Sequence, residues 1–430
     1  MVGEGYKQTE VGVIPEDWEC VEAGTIVSFF GGNGFSSRSE TKNGIRWLKI
    51  ANVGVEQVKW DNVTYLPEEF AVDFKDYLLQ PDDVVMALTR PILGDKLKVA
   101  RLGAKDSPSL LNQRVAKLSP IGKNQSSYIY YLVQRLSFVT AMNIAMAGTD
   151  PPNIGNAALA KVLVPVPSSF EEQRSIAQAL SDVDALIDAL DKTIAKKRAI
   201  KTATMQQLLT GKKRLPGFCE RKGYQQTEVG VIPEDWQVCY LQDLTSAPIT
   251  YGVLKPGDYV PNGIPLLQIK DVIHGEVDIQ GLHRIGKQLD SQYSRTRVFG
   301  GEIVVSLVGT IGKIAYIPDS LAGANLHRNL AKISISPNNS SKFIFYQLES
   351  GYIQQAIKLT TFGSTQSLFN LGDLRTLLII TPSPPEQTEI ATVLSDMDAA
   401  IAALETRLAK TQALKQGMMQ ALLTGRVRLV

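Results

Sequence analysis

The sequence predicts an α/β (α+β) chain: two pseudo-symmetric bodies, mixed but mainly β, joined by two long helices packed as an antiparallel coiled coil. Three observations predict it. The stretch Gly5-Tyr-Lys-Gln-Thr-Glu-Val-Gly-Val-Ile-Pro-Glu-Asp-Trp18 returns at Gly223 to Trp236 with one change, Lys7 to Gln225. A copy that close, half a chain away, is one architectural unit used twice. Glu172-Gln173-Arg174, Ile176 and Leu180-Ser-Asp-Val-Asp184 return as Glu386-Gln387-Thr388, Ile390 and Leu394-Ser-Asp-Met-Asp398, and Leu208-Leu-Thr-Gly211 returns as Leu422-Leu-Thr-Gly425. Finally, Ile176, Leu180, Val183, Ile187, Leu190 and Ile194 follow a 4-3-4-3-4 spacing that Ile390, Leu394, Met397, Ile401, Leu404 and Leu408 repeat 214 positions on. That spacing is an a/d seam, suited to coiled-coil packing. The boundaries fall at 1–166 and 216–381 for the bodies, and at 167–215 and 382–430 for the helical regions.

The helices are bounded by ordinary signals. Pro165 and Pro167 precede the first, and Pro382, Pro384 and Pro385 precede the second. Glu171, Glu172 and Glu386 favour the positive end of the helix dipole. Gly211 and Gly425 end the helices. From about 170 to 209 is roughly 40 residues, or about 60 Å at 1.5 Å per residue. A lone helix of that length with a narrow apolar seam needs a partner, and its duplicate is held at high effective concentration. The alternative, each helix packed on its own body, is opposed by polar interruptions at matched places: Lys197 with Thr411, and Lys201 with Lys415. Two copies related by a two-fold axis place the helices antiparallel. The pair then acts as a ruler between two binding surfaces, on the order of the 34 Å between successive major grooves.

Composition sets loose limits. At 430 residues, 44% apolar and 20% charged, the chain can bury two cores. A net charge of +2 neither demands nor excludes nucleic acid. Cys20, Cys219 and Cys239 are scattered and few, and with His274, His283 and His327 they give no metal-ligand spacing and no disulfide framework. No metal site is expected. The opening residues carry no apolar leader and no run of 18 apolar residues occurs, so a cytoplasmic protein without membrane association is expected.

Within the bodies, Ile45 to Ile50 aligns with Ile264 to Ile269, Asp83 to Leu88 with Glu302 to Leu307, and Val115 to Leu118 with Leu330 to Ile333. These short apolar or alternating runs, bounded by Gly, Pro, Asn and Asp, are strands. Tyr128 to Met146 and Ser341 to Lys358 have helical spacing.

Polar loops separate the strands, and their residues suit DNA edges and phosphates. Gly31 to Arg38, with Ser36 and Arg38, falls opposite Ile249 to Lys255, with Tyr251 and Lys255. Thr89, Arg90 and Lys96 fall opposite Thr310 and Lys313, and Asn112-Gln113-Arg114 opposite His327-Arg328-Asn329. Thr149 and Asn153 fall opposite Ser364, Thr365 and Gln366. Arg and Lys bond guanine or neutralise phosphate, and Asn and Gln match adenine. Their changed identity between equivalent loops is what two different half-sites require. A solvated polar loop is the plain alternative for any one of them.

Apparent catalytic motifs fail on detail. Asp150-Pro-Pro-Asn153 lacks the aromatic of the adenine methyltransferase motif. Gly31-Gly-Asn-Gly34 and Gly309-Thr-Ile-Gly-Lys313 lack the context and spacing of phosphate-binding loops. No catalytic residue is expected, and the chain is read as a non-enzyme.

The repeated Gln-Thr-Glu-Val-Gly-Val-Ile-Pro-Glu-Asp-Trp, the Tyr251-Gly-Val-Leu-Lys-Pro256 segment, and the helices from Glu-Gln to Leu-Leu-Thr-Gly together resemble the specificity subunit of type I restriction-modification systems. The resemblance covers essentially the whole chain. It implies two target recognition domains, each reading one half of an asymmetric bipartite site in double-stranded DNA. It implies helices that set the spacer and dock two methyltransferase subunits, with a restriction subunit as a further partner. S-adenosylmethionine then belongs to the methyltransferase, which methylates adenine N6, and this chain binds no cofactor. Two other classes stand beside it. An adaptor that assembles enzymes through its helices would favour aromatic and aliphatic loops over the polar set found here. A methyltransferase would carry the cofactor motifs that this chain lacks.

Overall fold

The computed structural model describes residues 4–218, 223–361 and 369–429. The chain divides into two compact units, and the division falls inside both long helices. Met1–Asp191 with Thr406–Val430 form the first, and Lys192–Glu405 the second.

In the first unit the repeated motif folds as an antiparallel hairpin, Tyr6–Thr9 against Gly12–Pro15, turning at Gly12 with φ +104°. Trp18–Glu22 then pairs antiparallel with Leu163–Pro167, which closes the body immediately before the first long helix. Between them lies a four-stranded antiparallel sheet in the order Val99–Arg101, Val84–Ala87, Val115–Pro120, Val27–Gly31. A second sheet has Ile45–Leu48 and Ser109–Leu111 running parallel at its centre. Val84–Ala87 is buried at every position because both its faces are covered. Val84 and Met86 join Trp18, Tyr128 and Ile176 in one core, while Val85 and Ala87 join Leu48 and Leu111 in another.

The second unit repeats this plan. Tyr224–Thr227 pairs with Gly230–Pro233, and Gln237–Tyr240 pairs with Leu378–Thr381. Its central strand Ile303–Ser306 sends Ile303 and Val305 toward Trp236 and Phe343, and Val304 toward Leu267 and Leu326. Such two-sided burial explains runs that are continuously apolar rather than alternating.

Each stretch with helical spacing proves to be two helices. In the first unit α1 (Ser126–Leu132) is followed by α2 (Leu136–Ala145), because Arg135 between them is extended at φ −60°, ψ 141°. The second unit breaks likewise at Ser350, φ −60°, ψ 147°. Each second helix therefore starts with its own N-terminus at the break.

The long helices are α3 (Phe170–Leu208) and α6 (Pro384–Leu422), the numbers α4 and α5 belonging to Ser341–Glu349 and Gly351–Thr361. Pro384 and Pro385 fall inside the first turn, where the missing N–H costs nothing. After each helix a glycine turns left-handed, Gly211 at φ +69° and Gly425 at φ +70°. A Cβ on Gly211 would stand 2.5 Å from Pro233 and one on Gly425 2.4 Å from Pro15, so the helix end packs directly on the repeated hairpin. All twelve seam residues are buried or half-buried.

Inside each unit the two long helices run antiparallel. In the first, Ile176 and Leu180 share a core with Met419, Leu422 and Leu423, and Asp184 pairs with Lys415 at 2.7 Å. In the second, Ile390 and Leu394 share a core with Leu208 and Leu209, and Asp398 pairs with Lys201 at 2.6 Å. The seam is thus interrupted by ion pairs at its two matched lysines, of which Lys415 is buried and Lys201 half-buried.

A second ion-pair cluster joins each helix end to the repeated motif. Arg428 donates to Glu172 (2.5 and 2.8 Å) and to both carboxylate oxygens of Asp17 (2.8 and 2.7 Å), while the Trp18 indole donates to Glu172 at 3.2 Å. Arg214 holds Glu386 at 2.6 and 2.7 Å and Asp235 at 3.0 and 3.1 Å, and Trp236 donates to Glu386 at 3.2 Å. Glu172 and Glu386 are only 1% exposed. Charge satisfaction in a buried network therefore adds to the helix-dipole effect expected of them.

Candidate nucleic-acid interface

In the first unit the loops between strands converge. Thr89 and Asn153 form an isolated bridge, and the Thr89 hydroxyl donates to the Asn153 side chain at 2.8 Å. The Asn153 amide donates in turn to the Thr149 hydroxyl at 3.1 Å, and the Arg90 amide to the Pro152 carbonyl at 2.8 Å. Arg90 adopts φ +47°, a left-handed conformation that a non-glycine residue holds only under local constraint. The glycine-rich loop reaches the same place. Asn33 bridges Asn112, and the Gln113 amide donates to the Asn33 carbonyl at 3.0 Å. Gly32 is required there, since a Cβ would stand 2.4 Å from the Asn112 carbonyl oxygen. The Asn112 side chain accepts from the Arg114 amide at 3.0 Å and so holds the turn that presents Gln113 and Arg114.

The result is an open cavity of about 730 Å³ lined by Thr89, Gln113, Arg114, Thr149, Asp150 and Asn153. Gln113 and Arg114 are exposed, and among the described residues their side chains have no hydrogen-bond or ionic partner. A bidentate amide and a guanidinium, free at the rim of a concave site, form the donor and acceptor set that base edges require. Lys98 lies nearby with its pKa lowered by burial first and by Arg90 second, which marks a cationic neighbourhood.

The second unit assembles the equivalent loops by the same device. The Arg328 amide donates to the Val253 carbonyl at 2.9 Å, and Val253 bridges His327. Gly252 has a Cβ position 1.8 Å from the Leu326 carbonyl oxygen. The loop of Tyr251 and Lys255 is thereby fastened to His327-Arg328-Asn329. His327 Nδ1 accepts from the Asn329 amide at 3.4 Å, and burial, then Arg328, then His283 hold its pKa below the ordinary histidine value. Tyr251, Lys255, Thr310 and Arg328 are exposed. Ser364, Thr365 and Gln366 lie outside the described residues.

Several expected residues are not in these clusters. The Ser36 hydroxyl accepts from the Arg38 amide at 3.2 Å, and neither residue lines the first cavity. Lys96 lines a different cavity, beside the tail of α6. Lys313 does so in the second unit, and its ammonium donates to the Val272 carbonyl at 3.1 Å. Asn156, which lines the first cavity, escaped the sequence reading because it opens a short helix rather than a loop. The Arg214 and Arg428 clusters also escaped it, although Arg-Leu stands at the same place in both repeats.

Among the described residues no group of His, Cys, Asp and Glu is arranged to hold a metal, and no helix is long and apolar enough to cross a membrane.

The comparisons agree with this architecture. The profile of the type I restriction modification DNA specificity domain matches twice, over residues 15–198 and 233–415. The EcoBI specificity subunit of Escherichia coli is 27% identical over 95% of this chain and 85% of its own. The MjaVIII specificity subunit of Methanocaldococcus jannaschii is 34% identical, over 49% of this chain and half of its own length. The crystal structure of the S subunit from M. genitalium shares the fold with a TM-score of 0.60 at 15% identity, covering 94% of this chain and 96% of that one. A further type I system structure aligns with a TM-score of 0.54 at 18% identity, over 96% and 99%. With both halves of the chain matched and the duplicated fold in place, the chain belongs to the type I restriction-modification DNA specificity family, whose members are the recognition subunits and not the catalytic ones.

Proposed function

We propose that each unit reads one half of an asymmetric bipartite DNA site, and that the paired helices set the spacer and dock methyltransferase subunits. The observation that carries this reading is the gathering of Thr89, Gln113, Arg114 and Thr149 around one open cavity, with Gln113 and Arg114 unpartnered at its rim. The second unit brings different residues, His327 and Arg328, to the same topological place. Two surfaces of one construction and different chemistry suit two different half-sites. Direct base contacts specify sequence, and phosphate contacts fix register.

Chemistry belongs to the partner in this reading. The methyltransferase binds S-adenosylmethionine and methylates adenine, a restriction subunit is a further partner, and the assembly works in the cytoplasm. Methylation mapping of a host genome with and without this gene tests the proposal. Loss of one split adenine motif is expected, and its two parts name both half-sites. A genome whose methylation is unchanged would favour the adaptor reading. Replacing residues 20–165 by the equivalent body of a relative should then change one half-site only. Inserting four residues after Ile194 adds about 6 Å, and should lengthen the spacer by about one or two base pairs while leaving both half-sites as they were.

A further inference from the structure

A second cavity in the first unit, of about 450 Å³, shares no lining residue with the first. Arg135, Leu136 and Ser137 form one wall, Lys96 another, and Gln416, Gln420 and Arg426 from the end of α6 and the segment after it a third. Arg135 is only 9% exposed, and its Nη1 is buried with no hydrogen-bond partner among the described residues. Two carboxylates also line the cavity: Glu56 is already held by Lys415 at 2.8 Å and Asp95 is exposed, and among the described residues no carboxylate pairs with Arg135. A buried cation without a counter-charge is costly unless something supplies one.

The backbone adds to this. Arg135 is the residue before α2, and no side chain caps that helix. The amides of its first turn therefore point out of the helix unsatisfied, at the positive end of the dipole. In the second unit Ser350 stands at the same break, and its hydroxyl accepts from the Ile353 amide at 3.4 Å. There the helix is capped by its own chain. Where the second unit has a cap, the first has an arginine and an open cavity.

We propose that this cavity is a binding site for one phosphate-class oxyanion, held by Arg135, Lys96, Arg426 and the uncapped amides that open α2. A tetrahedral anion satisfies several converging donors at once, and a guanidinium engages it bidentately. Desolvation already holds the Arg135 pKa below the ordinary arginine value, so the site favours a ligand that restores its charge balance. Because the walls come from α2 and from the end of α6, the anion fastens the two together. The reading does not depend on the DNA proposal.

The test is thermal melting of the full chain in rising inorganic phosphate, with ionic strength held constant by chloride. A saturable rise of about 2–4 °C is expected. R135M is expected to melt no lower than the original chain without phosphate, since it removes an unpaired buried charge, and to lose the rise altogether. R426A should keep it with affinity lowered about tenfold, the scale of one lost charge-assisted hydrogen bond. Acetate should bind at least about tenfold more weakly than phosphate, having fewer acceptor oxygens. An equal response to acetate, a full phosphate response in R135M, or no saturable response at all would overturn the assignment. A short DNA duplex should leave phosphate binding unchanged, and displacement by the duplex would overturn the free-anion reading.

Discussion

The two units use the same cluster at the helix end and different wiring one step further in. Arg428 with Glu172, Asp17 and Trp18, and Arg214 with Glu386, Asp235 and Trp236, correspond residue for residue. At the seam lysines the aspartate and tyrosine are kept. Tyr131 donates to Asp184, and Tyr346 to Asp398, each at 2.7 Å. The second carboxylate comes from a different place each time. Lys415 takes Glu56 from a body loop at 2.8 Å, and Lys201 has Glu349, from the end of α4, at 3.8 Å. The frame is held by contacts among repeated residues, while whatever the bodies supply is free to change. That division would let the two proposed reading surfaces differ on one scaffold, because altering a loop leaves the frame's charges satisfied.

The comparison is tested most severely at the helix-end cluster. R214A strands Glu386, which is 1% exposed, and should cost about 3–5 kcal/mol in urea unfolding, the range for breaking a buried pair. R428A should cost less, since the Arg428 side chain is 26% exposed against 9% for Arg214. Equal losses would mean that burial does not grade the two clusters. Hydrogen exchange should place the first loss in the second unit and the other in the first unit.

Next come the residues proposed to read bases. R114A should relax discrimination at one base pair of one half-site, and R328A at one base pair of the other, each at about 1–3 kcal/mol for a bidentate contact. Binding measured against single-base variants of the site checks this, and an effect of either change on both half-sites would break the modular comparison. Lys96 and Lys313 sharpen it further. As phosphate contacts each should lower the salt slope by about one when changed to alanine. Since Lys313 already donates to Val272 and both residues line other cavities, the slopes of K96A and K313A should stay close to the original.

The smallest effect is a difference in pH response. His327 has a pKa held below its unfolded value, so its neutral form is the folded one. Its contribution to stability is full above the unfolded pKa and is lost as pH falls from there through the folded value. The first unit has Asn112 in the corresponding loop and lacks this titrating group. H327Q should flatten the decline in stability of the second unit on the acid side of about pH 6.5. An unchanged decline would assign it to other groups.

Much of this was legible in sequence, for physical reasons that differ by region. The seam from Ile176 to Ile194 and the helix-ending glycines were readable because helices are local and periodic. The central strand Ile303–Ser306 was readable because both faces are apolar. The breaks at Arg135 and Ser350 were not, since apolar spacing continues across them and only the backbone angles record the interruption. In the candidate site, residue type pointed to Gln113, Arg114 and Thr149 but could not tell them from Ser36 or Lys96. Separating them depends on which loops the sheets bring together, and pairings such as Asn33 with Asn112 span about half of a body.

The partition inside the long helices sets an order of assembly during synthesis. The second unit is one continuous stretch, Lys192–Glu405, and has all its parts once that stretch has emerged from the ribosome. The first unit begins the chain yet lacks Lys415 and Arg428 until more than 200 residues later. At about 5–20 residues per second, that is a wait on the order of 10–40 s. Through it Glu172 and Asp184 have no cation, and Trp18 and Leu180 lack the leucines that cover them. The half made first is the half finished last, so a chaperone that shields nascent chains is expected to engage the first body and to release it when the last turns of α6 arrive.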